Sequence, residues 1–203
     1  MNPKRWPSLD GAQHEATAAR LAAAEDRSAP ELVEDLVRDA VAFAERLTAD
    51  TRAPSASAGI ACAAGCAWCC HVQVATTVPE VLRIARHLLA HRSPTELRVL
   101  RNRVNETAAR TRGATREQRA RARLPCPLLD RDGCCSVHAL RPLRCRGWNG
   151  MDAKACEREA LGQPAELRVE GLQWTVHRDV ARGLASGVHD GGREAGPVEL
   201  TAA

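Results

Sequence analysis

Apolar residues recur at helical spacing in several stretches, each with a recognisable start. Leu32, Val33, Leu36, Val37, Ala40, Val41, Ala44 and Leu47 follow the capping sequence Ser28-Ala29-Pro30-Glu31, which predicts a helix over about 29–50. A second capping box, Thr77-Val78-Pro79-Glu80, precedes the stripe Val81, Leu82, Ala85, Leu88 and Leu89 and predicts a helix to about 91. Ser93-Pro94-Thr95-Glu96 opens a third, whose stripe of Leu97, Leu100, Val104 and Ala108 fades near Gly113. Val169, Leu172, Val176, Val180 and Leu184 mark a last helix, expected to stop at Gly187.

Between Pro125 and Cys156 the period is lost, and five Cys, three Pro and three Gly take its place. Leu124 to Leu129 and Cys134 to Val137, separated by Asp130-Arg131-Asp132-Gly133, predict a short hairpin, and Asp152 caps a brief helix to Leu161. The expected fold is therefore mainly α: a small helical domain around an irregular, cysteine-rich metal-binding segment with one short β-hairpin. Its organisation reads as a loose N-terminal segment (1–27) and a single helical cysteine-cluster domain (28–188) with metal-binding segments at 60–71 and 125–156. A flexible tail (189–203), loose until Val198 to Leu200, follows.

Composition sharpens this picture. The 203 residues include 9 Cys and 7 His but one Phe, 4 Trp and no Tyr, so aromatic packing contributes little to the core. At 44% hydrophobic and 27% charged the chain is too apolar to be disordered, and it has no apolar run long enough to span a membrane. The residues after Lys4 and Arg5 are polar, so no signal peptide is expected, and a cytoplasmic location follows as an expectation. In a reducing compartment an odd number of cysteines points to metal thiolates rather than disulfides. The net charge of +4 carries little weight, because only Lys4 and Lys154 are not Arg among 29 basic residues, a compositional bias. Nine Arg between Arg98 and Arg123 have no aromatic residue among them on which bases could stack. That argues for a solvated helix face and against a nucleic-acid partner.

The cysteines form two groups: Cys62, Cys66, Cys69 and Cys70, then Cys126, Cys134, Cys135, Cys145 and Cys156. The Cys66-x2-Cys69 spacing lets one tight turn aim two sulfurs at an ion, and the later group can complete the site from afar. Thiolate softness suits zinc, an iron-sulfur cluster or Cu(I) alike. Neighbouring side chains diverge on strand and helix, so in Cys69-Cys70 and Cys134-Cys135 either one member stands aside or the ligands divide over two ions or one multi-iron cluster. Arg141, Arg144, Arg146 and Lys154 surround Cys145 and are candidates to compensate thiolate charge, with a solvated loop as the plainer reading for Arg144. His71 is a candidate ligand. His87 and His91 lack a third ligand, and His14, His177 and His189 read as surface residues. Trp68 and Trp148 are expected to shield a metal, and Trp174 to pack within the last helix.

Cys62-x3-Cys66-x2-Cys69-Cys70, then Cys126-Pro127, then Cys135-Ser136-Val137-His138 running through Arg141-Pro142-Leu143-Arg144-Cys145-Arg146, resembles the YkgJ-type cysteine-cluster family of zinc- or iron-chelating proteins over about residues 60 to 156. The resemblance implies metal chelation by Cys62, Cys66, Cys69, Cys70, Cys126, Cys135 and Cys145, with Cys156 as downstream partner. His138 stands where the family commonly has Tyr, and Cys134 is an extra thiol. A metal ion is the expected partner, zinc or iron the expected cofactor, and the biological role and any enzymatic activity are left open. One branch of the family is similar to flagellin lysine methylases, and Cys62-x3-Cys66-x-Trp68-Cys69 has radical-SAM spacing. The alternative is thus an iron-sulfur, S-adenosylmethionine-dependent protein methyltransferase. Against it, residues 72 to 123 lack the repeated βα units of a radical-SAM barrel, and no βαβ pattern supports a thioredoxin-like redox site.

Overall fold

The computed structural model describes residues 8–26, 29–50 and 59–200. Its helices are α1 (Leu9–Ala23), α2 (Pro30–Asp50), α3 (Val78–His91), α4 (Pro94–Thr111), α5 (Arg116–Ala122), α6 (Leu143–Gly147), α7 (Ala153–Ala160) and α8 (Gly171–Asp190). Two short 3-10 turns, Trp68–His71 and His138–Leu140, lie in the cysteine segments. Two strands, β1 (Ala75–Thr76) and β2 (Val198–Glu199), pair antiparallel. The fold is mainly helical, as the apolar stripes predict. The expected cap at Ser28 and the loop residues 52–58 lie outside the described residues.

The stripe of α2 supplies Leu36, Val37, Ala40, Val41 and Ala44 to a core completed by Val176, Val180, Leu184 and Val188 of α8. Leu143, fully buried, joins that core and so fixes α6 against it. A second cluster of Ile84, Leu88, Leu128 and Val137 joins α3 to the irregular segment, and Cys126 and Cys135 pack at its edge. The cysteines thus sit where helical framework and irregular chain meet. Thr77 and Ser93 form the capping boxes expected of them at α3 and α4.

Several expectations need correction. Residues 9–23 are not loose: α1, capped by Ser8, lies along α8 with Gln13, Thr17 and Leu21 buried. Its contact face is polar and small, and it meets Gly183 and Gly187 of α8. A Cβ at Gly183 would stand 2.3 Å from the Asp10 carbonyl oxygen and one at Gly187 2.7 Å from Thr17 Cβ. Gly187 is therefore a close-packing position inside α8, which continues to Asp190. The tail is ordered at 198–200 as expected, with Thr76 opposite Val198 and the Leu200 N–H donating to the Val74 carbonyl at 2.9 Å. It is held earlier too, Ala195 being buried in the core with its carbonyl accepting from the Val78 N–H at 3.1 Å. The Arg-rich stretch contains α5, opened by a Thr115–Gln118 capping box (2.8 and 3.2 Å). The expected hairpin closes around Gly133 (φ +78°) but forms a single bridge, Leu129 to Cys135, rather than a ladder. Between Val72 and Arg123 the described residues form α3, α4, α5 and one two-residue strand, without βα repeats. No helix among the described residues is long and apolar enough to cross a membrane.

Candidate metal centre

Local backbone structure brings the two cysteine segments together. Cys66 donates its N–H to the Ala63 carbonyl (3.0 Å) in a turn carrying Gly65 at φ +80°, and Cys70 donates to Ala67 (2.9 Å) within the first 3-10 turn. The Cys126 N–H then donates to the Cys70 carbonyl at 2.7 Å, joining residues 56 apart in sequence. The turn at Gly133 rests on the turn at Gly65, where a Cβ on Gly133 would lie 2.9 Å from the Gly65 oxygen. Gly150 makes a third junction. Its carbonyl lies 4.0 Å from Cys62 Sγ, and a Cβ there would come within 2.4 Å of Cys156 Sγ, so only glycine fits beside that thiol.

Cys145 is placed by a buried carboxylate. Glu80 Oε2 accepts from Thr76 Oγ1 (3.0 Å), the Thr77 N–H (2.9 Å) and Thr77 Oγ1 (2.8 Å), while Oε1 accepts from the Leu143 N–H at 2.7 Å. The capping residue of α3 thereby holds the first turn of α6, two residues before Cys145. Glu80 reads in the sequence as a cap. Its long-range bond to Leu143 has no local signal.

Electrostatically the sulfurs form two neighbourhoods that meet at Cys69. Burial pushes the Cys156 thiol up to about 11, and Cys62, Cys66 and Cys69 add to the effect. Burial likewise raises Cys62, with Cys66 and Cys69 contributing. In the other neighbourhood burial raises Cys126 to about 11, helped by Cys135, and raises Cys145, which feels Cys69, Cys126 and Cys135. Cys135 is also raised by burial. The Cys70 thiol donates to Cys69, which favours the thiolate at Cys69 and the neutral thiol at Cys70, where Cys126 and Cys145 add repulsion. Among the described residues no three His, Cys, Asp or Glu side chains already converge as an ion's ligands. These are free cysteines held as neighbours, Cys62 exposed and the others half-buried. Binding an ion requires them to lose protons and turn inward.

The cations divide by role. Arg141 favours the thiolate at Cys62, Cys69 and Cys135, and its Nε is buried without a hydrogen-bond partner. Arg119, 1% exposed, lies near Cys126 with Nε and one terminal nitrogen unpartnered, its other terminal nitrogen donating to the Leu124 carbonyl. Nothing in the sequence singles out Arg119, one of nine arginines in a stretch with the pattern of a solvated basic face. Arg146 turns to Glu45 (2.7 Å) and the Ala139 and Arg141 carbonyls, and Lys154 is exposed. Arg144 lies over the Trp174 ring at 5.2 Å.

Among the remaining candidates, His71 Nδ1 lies 3.1 Å from the Ala67 carbonyl oxygen and its ring tilts against Trp68. His87 and His91 stack on each other at 4.3 Å. His177 is a correction: it is 4% exposed, packs against Gly147 with Nδ1 2.8 Å from the Gln173 oxygen, and burial lowers its pKa, leaving it neutral. His138 is exposed beside Arg141, which lowers its pKa. Cys134 sits beside the bridging Cys135, its N–H held by Asp132 (2.9 Å).

Clustered soft donors, the Arg141 charge that favours their thiolates and a glycine cleared beside Cys156 suit an anionic thiolate–metal centre. A family model for a cysteine cluster, described as "Putative zinc- or iron-chelating domain", matches residues 61–163, about half of the chain. No curated protein and no solved structure matches it.

Proposed function

The chain belongs to this cysteine-cluster family of zinc- or iron-chelating domains, and from that membership we propose that it holds two metal centres, each on four thiolates. Cys62, Cys66, Cys69 and Cys156 serve one, and Cys70, Cys126, Cys135 and Cys145 the other. The observation that carries this reading is the junction of remote segments: Cys62 and Cys156 meet at Gly150, while the Cys126 amide is bonded to Cys70. Splitting Cys69 and Cys70 puts the two centres side by side, since the Cys70 thiol donates to Cys69 in the metal-free fold.

Bound zinc or iron would supply a cross-link among segments that share no helical core. In this reading Arg141 offsets the charge of the first set and Arg119 that of the second. Glu80 holds the turn before Cys145, and Cys126 and Cys145 are half-buried. Structural zinc in small peptides contributes about 10 to 16 kcal/mol, comparable with the whole stability of a domain. A chain with few aromatics can depend on that.

The test is anaerobic purification followed by elemental analysis and an absorption spectrum. Wild type is expected to carry about two four-coordinate ions, or two clusters, per chain. Cys156→Ser and Cys145→Ser should each lose about half of that metal, and Cys134→Ser none. A colourless protein with zinc identifies one member of the family's pair of metals, and a brown one with iron and sulfide the other. Purified protein without either metal, or unchanged metal in both Cys156→Ser and Cys145→Ser, overturns the proposal.

A further inference from the structure

Beside Cys69 and Cys145 lies a cavity of about 380 Å³, within the range of small-molecule sites. Trp148, Trp174 and Arg144 line it opposite the 72–75 backbone. The two indoles meet edge to face, ring centres 5.3 Å apart and planes at 86°, which makes an apolar corner of two flat walls. The Arg144 guanidinium covers the Trp174 face, and among the described residues it makes no hydrogen bond or ion pair.

Burial weighs against the Arg144 charge, Arg178 and Arg182 add to that, and Glu80 and Asp179 favour it, yet among the described residues neither carboxylate forms an ion pair with it. Arg178 and Arg182 are of the same sign and already engaged, the first with Asp179 at 2.8 Å, the second with Asp10 at 3.7 Å and Asp179 at 4.0 Å. Both oxygens of Glu80 are taken by Thr76, Thr77 and Leu143. Arg141, rather than Arg144, bears on Cys62, Cys69 and Cys135. A half-buried cation stacked on an aromatic wall, lining a cavity and with no carboxylate bonded to it, is arranged to receive one. We propose that this cavity binds a small planar organic anion, its carboxylate on Arg144 and its ring in the corner between Trp148 and Trp174. Such a ligand lies against Cys69 and Cys145, one from each proposed thiolate set. The cavity's chemistry does not depend on which metal those sets hold.

Calorimetric titration of the protein as purified, its metal content measured alongside, separates the outcomes. The probes are benzoate, 2-naphthoate and the neutral isostere 2-naphthamide. 2-Naphthoate should bind one saturable site at least about tenfold more tightly than the amide, the difference a charge-assisted contact makes. Arg144→Gln should bring 2-naphthoate to the level of the amide with metal content unchanged, and Trp174→Leu should weaken both. Equal binding of acid and amide by the wild type overturns the proposal without recourse to a variant. So does the absence of saturable binding by either acid. A preference for the acid that survives Arg144→Gln puts the carboxylate elsewhere, on a metal for example, and also overturns it. Protein purified without metal that still prefers the acid would defeat the two-centre reading and leave this one standing.

Discussion

Arg141 is the residue on which the electrostatics of the cysteine cluster turn. A zinc ion on four thiolates carries a formal charge of −2, and removing such charge from water is costly unless a cation or hydrogen-bond donor answers it. The Arg141 Nε is buried without a partner, and its charge favours ionisation at Cys62, Cys69 and Cys135. Arg141→Gln keeps a polar side chain of similar reach and removes the charge. It is expected to weaken zinc binding by about 10- to 100-fold in competition with a chromogenic chelator, the range typical of groups that support metal ligands. The stability of the metal-free protein should hold or rise, since an unsatisfied buried donor is lost. Unchanged zinc affinity would show that Arg141 has no such role. Arg141 was legible in the sequence because it stands four residues before Cys145. Arg119 was not, because nothing in its neighbours distinguishes one buried guanidinium within a run of nine arginines.

Helices declare themselves by an apolar period, and α2 and α8 bury theirs. By contrast, α3 and α4 were legible from their capping boxes and spacing, although in α3 Leu82 and Leu89 stand exposed with Ile84 buried in their place, and α4 buries only Thr107 and Thr111. α1 escaped because it packs by closeness. Gln13 and Thr17, bonded to each other at 3.0 Å, lie against Gly183 and Gly187, so most of the contact is made by small or polar side chains and bare backbone, with Leu21 its one fully buried leucine. The same logic reverses a familiar substitution. Replacing a helical Gly by Ala ordinarily stabilises by roughly 0.5–1 kcal/mol. Gly187→Ala would instead place a methyl 2.7 Å from Thr17 Cβ and 2.8 Å from the His14 carbonyl oxygen, forcing α1 away from α8. A loss of about 1–3 kcal/mol is expected from the midpoint of urea unfolding. Gly171→Ala, with nothing within 4 Å, should be neutral or slightly stabilising and serves as the control. Stabilisation by Gly187→Ala would mean that α1 does not pack there. For the site, spacing singled out Cys66 and Cys69, and the family resemblance supplied the remaining cysteines to consider. Which sulfurs neighbour which depends on junctions such as Gly133 on Gly65 and Cys126 on Cys70, made between residues too distant for any periodicity to relate.

At the scale of the whole molecule, metal and protons compete for the same sulfurs, and that competition fixes the sign of the pH dependence. In the metal-free fold burial raises Cys126 and Cys156 from the ordinary thiol value to about 11, and raises Cys62, Cys135 and Cys145 as well; Cys69 alone moves down, matched by the rise at Cys70. A raised thiol keeps its proton in the folded chain when the unfolded chain has lost it. Its stabilisation is therefore complete below the unfolded thiol pKa and lost as pH climbs through the folded one. Between about pH 6 and 8 the raised thiols stay protonated in the fold and add little slope to the metal-free protein, while Cys69, lowered to about 7 by the Cys70 hydrogen bond, adds a rise of at most one proton. Metal-bound sulfurs hold no proton, so in the loaded protein the unfolded chain is the one that binds more protons, and stability must rise with pH through the same window. Groups such as the neutral, buried His177 contribute equally to both forms and cancel in the difference. Anaerobic urea unfolding at about pH 6, 7 and 8, with and without a chelator, should give a steeper positive slope for the loaded protein. Zinc titrations in buffers of different ionisation enthalpy should show release approaching about four protons per ion at the lower pH, as a tetrathiolate requires. Parallel slopes and release of fewer than about two protons would mean that these thiols are not the ligands, and the two-centre arrangement would fall with them.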